Sequence, residues 1–156
     1  MPTTEATAAQ ILEALATAES LYYRLVLLVG SLGAGKSGVL RQVAQQLDRP
    51  VINLNLTLSR TLLELTPKQR SLRLLATLNT IAAEQTSPVL LDNTELLFDP
   101  SLAQDPLRVL QHMARNRSLL ATWNGQYTSG QLIYAQPGHP EYRSYDAVDT
   151  LIVSLE

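Results

Sequence analysis

The sequence predicts an α/β fold in which a mostly parallel β-sheet is covered by helices on both faces, giving three layers. Two observations lead to this prediction. Short apolar runs alternate along the chain with segments in which apolar residues recur at helical spacing, and several of the runs end in glycine or a polar residue. Such alternation is typical of parallel strands joined by crossover helices. Ligands of these sheets bind beyond the carboxyl ends of the strands.

Length and composition narrow the class of protein further. The 156 residues are predicted to form a single domain, 1–156, and the net charge of −2 provides no overall basic field, so direct nucleic-acid binding is not indicated. The absence of cysteine excludes disulfides and thiolate metal sites. The N-terminal stretch has no basic region or long apolar core of a signal peptide, and the longest apolar run, "LVLLV", is too short to span a bilayer. We therefore expect a cytoplasmic protein without membrane contact.

The first half of the chain is predicted to form two helices and two strands. The segment "TEATAAQILEALATAES" places its apolar residues at helical spacing and is predicted to be an amphipathic helix. The run "YRLVLLVG" is predicted to be a buried strand that ends in glycine. A helix should follow from Lys36 to Leu47, because apolar residues recur on one face before "DRP" closes it. The run "VINLNL" is predicted to be the second strand.

The second half continues the alternation and ends in strands. The stretch "TPKQ" has the form of a capping box, in which Thr66 caps a helix, Pro67 occupies its first turn and Gln69 reaches back. After this helix, "SPVLLD" is the third predicted strand, a helix begins at Pro106, and "SLLATWNG" is the fourth strand. The segments "QLIYA" and "TLIVSLE" are the last predicted strands, around the polar loop "QPGHPEYRSYD".

A glycine-rich segment, "GSLGAGKS", connects the first predicted strand to the next helix and fits the pattern G-x-x-x-x-G-K-[ST]. Glycines let successive backbone N–H groups wrap an anion, and the new helix adds its positive N-terminal end. Lys36 would reach the terminal phosphates, and Ser37 would bind Mg²⁺ through its hydroxyl. The predicted phosphate-binding residues are Gly30, Ser31, Leu32, Gly33, Ala34, Gly35, Lys36, Ser37 and Gly38. The alternative is a glycine-rich turn that only joins strand to helix.

If this loop binds a magnesium ion, a carboxylate ligand is expected at the end of another strand. The third strand runs directly into Asp92, which is therefore the predicted metal ligand together with Ser37. The alternative is an aspartate that begins a turn after a strand, which is common. Because no N-K-x-D segment is present to read guanine, the predicted cofactors are ATP and Mg²⁺.

The two motifs resemble Walker A and Walker B of P-loop NTPases. One predicted strand lies between the two motifs in sequence. In this arrangement the chain resembles the division of P-loop NTPases that includes AAA+ and RecA-like ATPases. This resemblance implies an AAA+-like P-loop core, and the length leaves no room for a helical lid domain. In that division a glutamate beside the Walker B aspartate polarises the attacking water. Here Asn93 follows Asp92, so Glu95 is the candidate base if the chain turns tightly. The alternative is a solvated glutamate in a protein that binds ATP but hydrolyses it slowly.

Four further residues are candidates by resemblance to the same division. At the end of the fourth strand, Thr122 and Asn124 share one side by alternation, and Asn124 is preferred as the group that resembles sensor 1. An Asn-Gly turn is the alternative. Arg115 and Arg117 precede this strand and should lie at the opposite edge of the sheet from the glycine-rich segment. Their resemblance to arginine fingers implies action on a neighbouring subunit's nucleotide in a homo-oligomer, and a solvated loop is the alternative.

A narrower resemblance covers most of the chain. The run "LLDNTELLFDPSLAQDPLRVLQHMARNRSLLATWNG", followed by "LIYAQPGHPEYRSYD", is similar to the BrxF family, the small P-loop proteins of type 3 BREX phage-defence systems. The chain length and the position of "GSLGAGKS" agree with that family. The resemblance implies an ATPase that works with other BREX components, including a large ATPase, a methyltransferase and a phosphatase-like protein. It also implies that "DNTE" is the family's own form of Walker B.

We therefore expect an ATP-binding and ATP-hydrolysing protein in phage defence, whose nucleotide state controls assembly with partners or with itself. Two alternatives stay open. A small-molecule kinase needs a mobile, arginine-bearing lid over the phosphates, and no such insertion stands between the third and fourth predicted strands. A non-hydrolysing, nucleotide-gated scaffold needs the phosphate-binding residues without a working base.

Overall fold

The computed structural model describes residues 3–146 and 148–155. Two short 3₁₀ turns, Glu95–Phe98 and Pro100–Leu102, precede the last helix. The predicted domain, 1–156, and the last predicted strand, "TLIVSLE", both extend into residues outside this description. The helices and strands are α1 (Thr4–Ala18), β1 (Leu25–Gly30), α2 (Lys36–Leu47), β2 (Val51–Asn53), α3 (Leu54–Leu62), α4 (Pro67–Ala83), β3 (Val89–Asp92), α5 (Pro106–Met113), β4 (Leu119–Thr128), β5 (Gln131–Tyr134), β6 (Arg143–Asp146) and β7 (Leu151–Ser154).

The strands form a mostly parallel sheet in the order β2-β3-β4-β1-β7. Every neighbouring pair along this path is parallel. The second half of β4 leaves the parallel sheet and pairs antiparallel with β5, which in turn pairs with β6. The predicted α/β architecture is confirmed. Because β4 lies between β1 and β3, the carboxyl ends of these three strands meet at one edge.

Helices cover both faces of the sheet. Along β1, Leu25, Leu27 and Val29 point into a core shared with α3, α4 and α5, while Val26 and Leu28 point into a core shared with α1 and α2. All six residues of β1 are buried. This two-sided burial explains why the run "LVLLV" is continuously apolar rather than alternating.

The prediction of a strand over "VINLNL" is wrong in its second half. The strand ends at Asn53, whose side-chain oxygen accepts a hydrogen bond of 3.1 Å from the N–H of Leu56 and so caps α3. The apolar side of α3 consists of Leu54, Leu58 and Leu62, which recur every four residues and are buried. Burial of every fourth residue favoured a helix from Leu54 onwards, although the six residues of "VINLNL" also fit the alternation of a strand.

The end of β4 also differs from the prediction. The Asn-Gly pair at 124 and 125 does not form a turn, because the strand continues to Thr128 and the reversal lies at Ser129 and Gly130. Position 125 in this strand has no room for a side chain, which explains why it is glycine. A Cβ added there would lie 1.9 Å from the carbonyl oxygen of Ile133 on β5. The predicted polar loop contains one further strand, β6.

The remaining helices agree closely with the sequence. The capping box at α4 is present, with the N–H of Gln69 donating to Thr66 Oγ1 at 3.2 Å and the N–H of Thr66 donating to Gln69 Oε1 at 3.0 Å. Within residues 3–146 and 148–155, no helix has both the length and the apolar character that crossing a membrane requires.

Candidate phosphate-binding site

The glycine loop, residues 31–35, joins the carboxyl end of β1 to the start of α2. Gly33 and Gly35 adopt positive φ angles of 84° and 99°, a region that glycine enters without steric cost. Gly35 is the N-cap of α2, and no side chain caps this helix. The positive end of the α2 dipole therefore faces the glycine loop without a capping side chain at Gly35.

The side chain of Lys36 lies inside this loop. Only 6% of the residue is exposed, and its Nζ donates hydrogen bonds to the carbonyl oxygens of Gly30 (2.8 Å) and Ser31 (2.7 Å). These bonds place the ammonium group at the carboxyl end of β1. An ammonium on a flexible four-carbon stem can exchange these carbonyls for other oxygen acceptors without moving the backbone.

The carboxylate of Asp92, at the end of β3, collects three hydrogen bonds. Its Oδ2 accepts one of 2.6 Å from Ser37 Oγ. Its Oδ1 accepts one of 2.9 Å from Thr122 Oγ1 on β4 and one of 2.9 Å from the N–H of Asn93. The structure therefore brings the two predicted metal ligands into direct contact, and Thr122 supports the aspartate rather than standing apart from it.

Glu95 also faces the same edge of the sheet. The chain turns sharply after Asp92 because Asn93 adopts a left-handed φ of 55°, and a 3₁₀ turn begins at Glu95. Asn55 Nδ2 donates to Glu95 Oε2 at 2.9 Å, and Asn124 Nδ2 donates to the other oxygen, Oε1. The tight turn that the prediction for Glu95 required is thus present, and both carboxylate oxygens are held by neutral amides.

Asn55 is one residue of this site that sequence analysis missed. It belongs to the first turn of α3, where a strand was expected, and its Oδ1 accepts a hydrogen bond of 2.8 Å from the N–H of Leu96. Its own N–H donates to the carbonyl oxygen of Asn93 at 2.9 Å. The four-residue spacing of the buried leucines is the signal that predicts the helix. No local pattern links Asn55 to Glu95, which lies 40 residues away.

An open cleft of about 380 Å³, referred to below as the phosphate cleft, lies between the glycine loop, Asp92 and Glu95. Sequence analysis also missed Arg41, an exposed cation four residues after Ser37 on α2, although that helical spacing places both on one side. The charged and polar side chains that line the phosphate cleft are Lys36, Ser37, Arg41, Asp92, Asn93, Glu95 and Asn124.

Arg115 and Arg117 lie away from this cleft. Arg117 Nη1 donates to the carbonyl oxygen of Met113 at 3.0 Å and to Asn79 Oδ1 at 3.4 Å. The guanidinium of Arg115 stacks 3.5 Å from the ring centroid of Tyr22. Both arginines follow α5 and precede β4, at the amino ends of the strands, as expected for residues that do not serve their own subunit's cleft.

No protein-family model, no curated protein and no solved structure matches this chain. The resemblances to P-loop ATPases and to the BrxF family therefore stay predictions.

Proposed function

We propose that the phosphate cleft binds ATP with Mg²⁺ and hydrolyses the nucleotide to ADP and phosphate. One observation carries this proposal. Ser37 and Asp92 are 55 residues apart in sequence, yet Ser37 Oγ lies 2.6 Å from Asp92 Oδ2 at the mouth of the glycine loop. A hydroxyl and a carboxylate beside the glycine loop and the N-terminus of α2 form a suitable environment for a magnesium polyphosphate.

The chemistry of this pair fits Mg²⁺. The ion prefers oxygen ligands and is usually bound by one or two protein groups together with waters and phosphate oxygens. Ser37 and Asp92 would hold it, and Thr122 and Asn93 would keep the carboxylate oriented through their hydrogen bonds to Oδ1. When bound, Mg²⁺ neutralises charge on the phosphates.

The phosphates themselves would be held by the glycine loop and Lys36. The ammonium group now bonded to the Gly30 and Ser31 carbonyls would transfer its hydrogen bonds to phosphate oxygens, which are charged acceptors and bind it more strongly. Asn124 pairs in register with Gly30 across β4 and β1, so its amide stands beside the loop. It is the proposed contact to the terminal phosphate.

Glu95 is the proposed base that orients the attacking water. Its carboxylate lines the phosphate cleft and lies within hydrogen-bond distance of Asn124, which joins the base to the proposed phosphate sensor.

One observation favours the second candidate function, a nucleotide-gated scaffold without hydrolysis. Asn55 and Asn124 already bond both oxygens of Glu95, so the base acts only if one of these bonds is exchanged for water.

We further propose that nucleotide state controls assembly with a second copy or with partner proteins. Arg115 is exposed and stands away from its own chain's cleft, which leaves it accessible to another subunit. A place in phage defence beside other BREX components is proposed from the family resemblance.

Calorimetric titration with ATP and Mg²⁺, followed by phosphate-release assays, tests the proposed function. We expect wild-type protein to bind ATP and to release phosphate, and Lys36→Ala to bind at least about tenfold more weakly, because a charge-assisted hydrogen bond is lost. The matched control is Lys68→Ala, which removes the chain's other lysine from an exposed position on α4. Wild-type protein that takes up no ATP would overturn the proposal, whereas binding without phosphate release would select the scaffold.

A further inference from the structure

A second, larger cavity of about 750 Å³ lies next to the phosphate cleft and is referred to below as the hairpin cavity. It is lined by the β4–β5 hairpin, the segment 135–141 and, from the glycine loop, Ser31 and Leu32, and its apolar surface includes Ile133, Tyr134 and Pro137. Glu95 and Asn124 line both spaces. The volume lies within the range typical of small-molecule sites, which are mostly apolar with a few polar groups.

The charges around the hairpin cavity are negative. Glu95 and Glu141 reach it from different parts of the chain, and no lysine or arginine of the described residues lines it. His139 also lines it, and its Nδ1 accepts a hydrogen bond of 3.0 Å from the N–H of Glu141, which requires that nitrogen to be unprotonated. Two carboxylates without a cation on the same wall attract a positively charged ligand and repel an anion.

Tyr134 supplies a second, independent sign of a ligand. The residue is 8% exposed, and its hydroxyl forms no hydrogen bond with any residue in the described ranges, although its ring stacks on Phe98 with centroids 3.5 Å apart. Tyr134 lines the cavity, so a ligand there could bond this hydroxyl in place of water. Burial, together with the nearby charges of Glu141 and Glu95, raises the pKa of Tyr134 to about 12, which keeps the hydroxyl protonated. The cavity wall therefore presents a protonated hydroxyl, open to a ligand, near two carboxylates.

We propose that the hairpin cavity binds a small organic cation, an amine or a guanidinium carried on an apolar body. The cationic group would donate hydrogen bonds to Glu141 and to the Tyr134 hydroxyl oxygen, and the apolar body would cover Ile133 and Pro137. Binding itself does not depend on the proposed ATPase function. A coupling between the two sites does rest on it, because a ligand beside Glu95 changes the surroundings of the proposed base.

The probes are benzamidine and agmatine, with neutral benzamide as the isosteric control for benzamidine. Each is titrated into nucleotide-free, full-length protein by calorimetry and by the NMR signal of the indole N–H of Trp123. This is the chain's one tryptophan, and its Nε1 donates to the carbonyl oxygen of Ile133 on the cavity wall at 3.2 Å. We expect at least one of the two cations to bind and to shift the indole signal, and benzamide to bind at least about tenfold more weakly than benzamidine. Failure of both cations to bind, or equal binding of benzamide and benzamidine, would overturn the proposal.

Substitutions on the wall of the hairpin cavity test whether the cation binds there. Glu141→Gln and Tyr134→Phe should each weaken cation binding about tenfold, whereas Glu13→Gln, which makes the same charge change on an exposed part of α1, should leave it unchanged. Cation affinity that is unaffected by Glu141→Gln would also overturn the proposal. Because Tyr134→Phe retains the aromatic ring, thermal melting distinguishes loss of the ligand contact from loss of the fold.

A final measurement separates this inference from the proposed function. Lys36→Ala should bind the cation at least as tightly as wild-type protein, because a positive charge that contacts Ser31 on the cavity wall is removed, even though its ATP binding is impaired. Cation binding without ATP binding would remove the ATPase proposal alone, and ATP binding without cation binding would remove the inference alone. If both stand, saturating cation should change the rate of phosphate release at least about twofold in wild-type protein and less in Glu141→Gln, since the two sites share Glu95.

Discussion

The substitution Asp92→Asn tests the metal-binding part of the site without removing its shape. Asparagine keeps one carbonyl oxygen, which can still accept the hydrogen bonds from Thr122 Oγ1 and the N–H of Asn93. The other position becomes an NH₂ group, to which the Ser37 hydroxyl must turn as an acceptor instead of donating. The fold should therefore survive, while the negative charge that would bind Mg²⁺ is lost.

The magnitude follows from the three hydrogen bonds. A bond to a charged group contributes about 1.5–3 kcal/mol and a neutral one about 1 kcal/mol, and Asp92 is partly exposed, so the free energy of unfolding should fall by about 2 kcal/mol. For a chain of this length that corresponds to a melting temperature about 4–8 °C lower. Loss of a charged ligand at the ion should weaken ATP binding in the presence of Mg²⁺ by about 2 kcal/mol, or about thirtyfold in Kd.

The assay is calorimetric titration of ATP, once with Mg²⁺ and once with a chelator. In wild-type protein Mg²⁺ should tighten binding, and in Asp92→Asn most of this gain should disappear. Affinity measured in chelator should not fall, because a negative charge beside the phosphates has been removed. Asp48→Asn is the matched control, since it makes the same change at an exposed position just after α2. An Mg²⁺-dependent gain as large in Asp92→Asn as in wild-type protein would refute the proposed metal site.

Four other outcomes are expected. Glu95→Gln should keep ATP binding and lower phosphate release at least about a hundredfold, and unchanged release would remove Glu95 from its role. Phosphate release per subunit should rise with protein concentration and should lose that dependence in Arg115→Ala, which removes the exposed arginine; concentration-independent release would count against action between subunits. Gly125→Ala should destabilise the protein by at least about 3 kcal/mol in urea unfolding, because the added Cβ would lie 1.9 Å from the Ile133 carbonyl oxygen. Burial raises the pKa of Tyr134 from 10.0 to about 12, so the unfolded chain loses this proton first and stability should fall as pH rises through that interval, less steeply in Tyr134→Phe.

The sequence by itself determined the parts of the molecule that depend on neighbouring residues. The apolar run before Gly30, the glycine spacing and the helical periodicity after Lys36 were sufficient to predict β1, the glycine loop and α2 with its bounds. The capping box at Thr66 was equally local, because its two hydrogen bonds join residues three apart. In each case backbone geometry and short-range hydrogen bonds decide the conformation.

Local patterns were ambiguous where strand alternation and helical periodicity both fitted the same residues. The run "VINLNL" satisfies strand alternation, but burial of Leu54, Leu58 and Leu62 against the core beneath α4 and α5 outweighed that preference. The continuation of β4 past Gly125 likewise depended on a pairing partner, β5, which satisfies its backbone groups.

Beyond the pairing of Ser37 with Asp92 that the two motifs predicted, only the tertiary structure decided which polar side chains meet. Asp92 contacts Ser37 and Thr122 because β4 lies between β1 and β3, an order that no local pattern contains. Glu95 faces the cleft because Asn93 turns the chain and because Asn55 and Asn124, from two other elements, hold its oxygens. Contacts between residues tens of positions apart depend on strand order and on the direction of each turn. Single-sequence periodicity carries neither, since it records only which residues share a face of their own element.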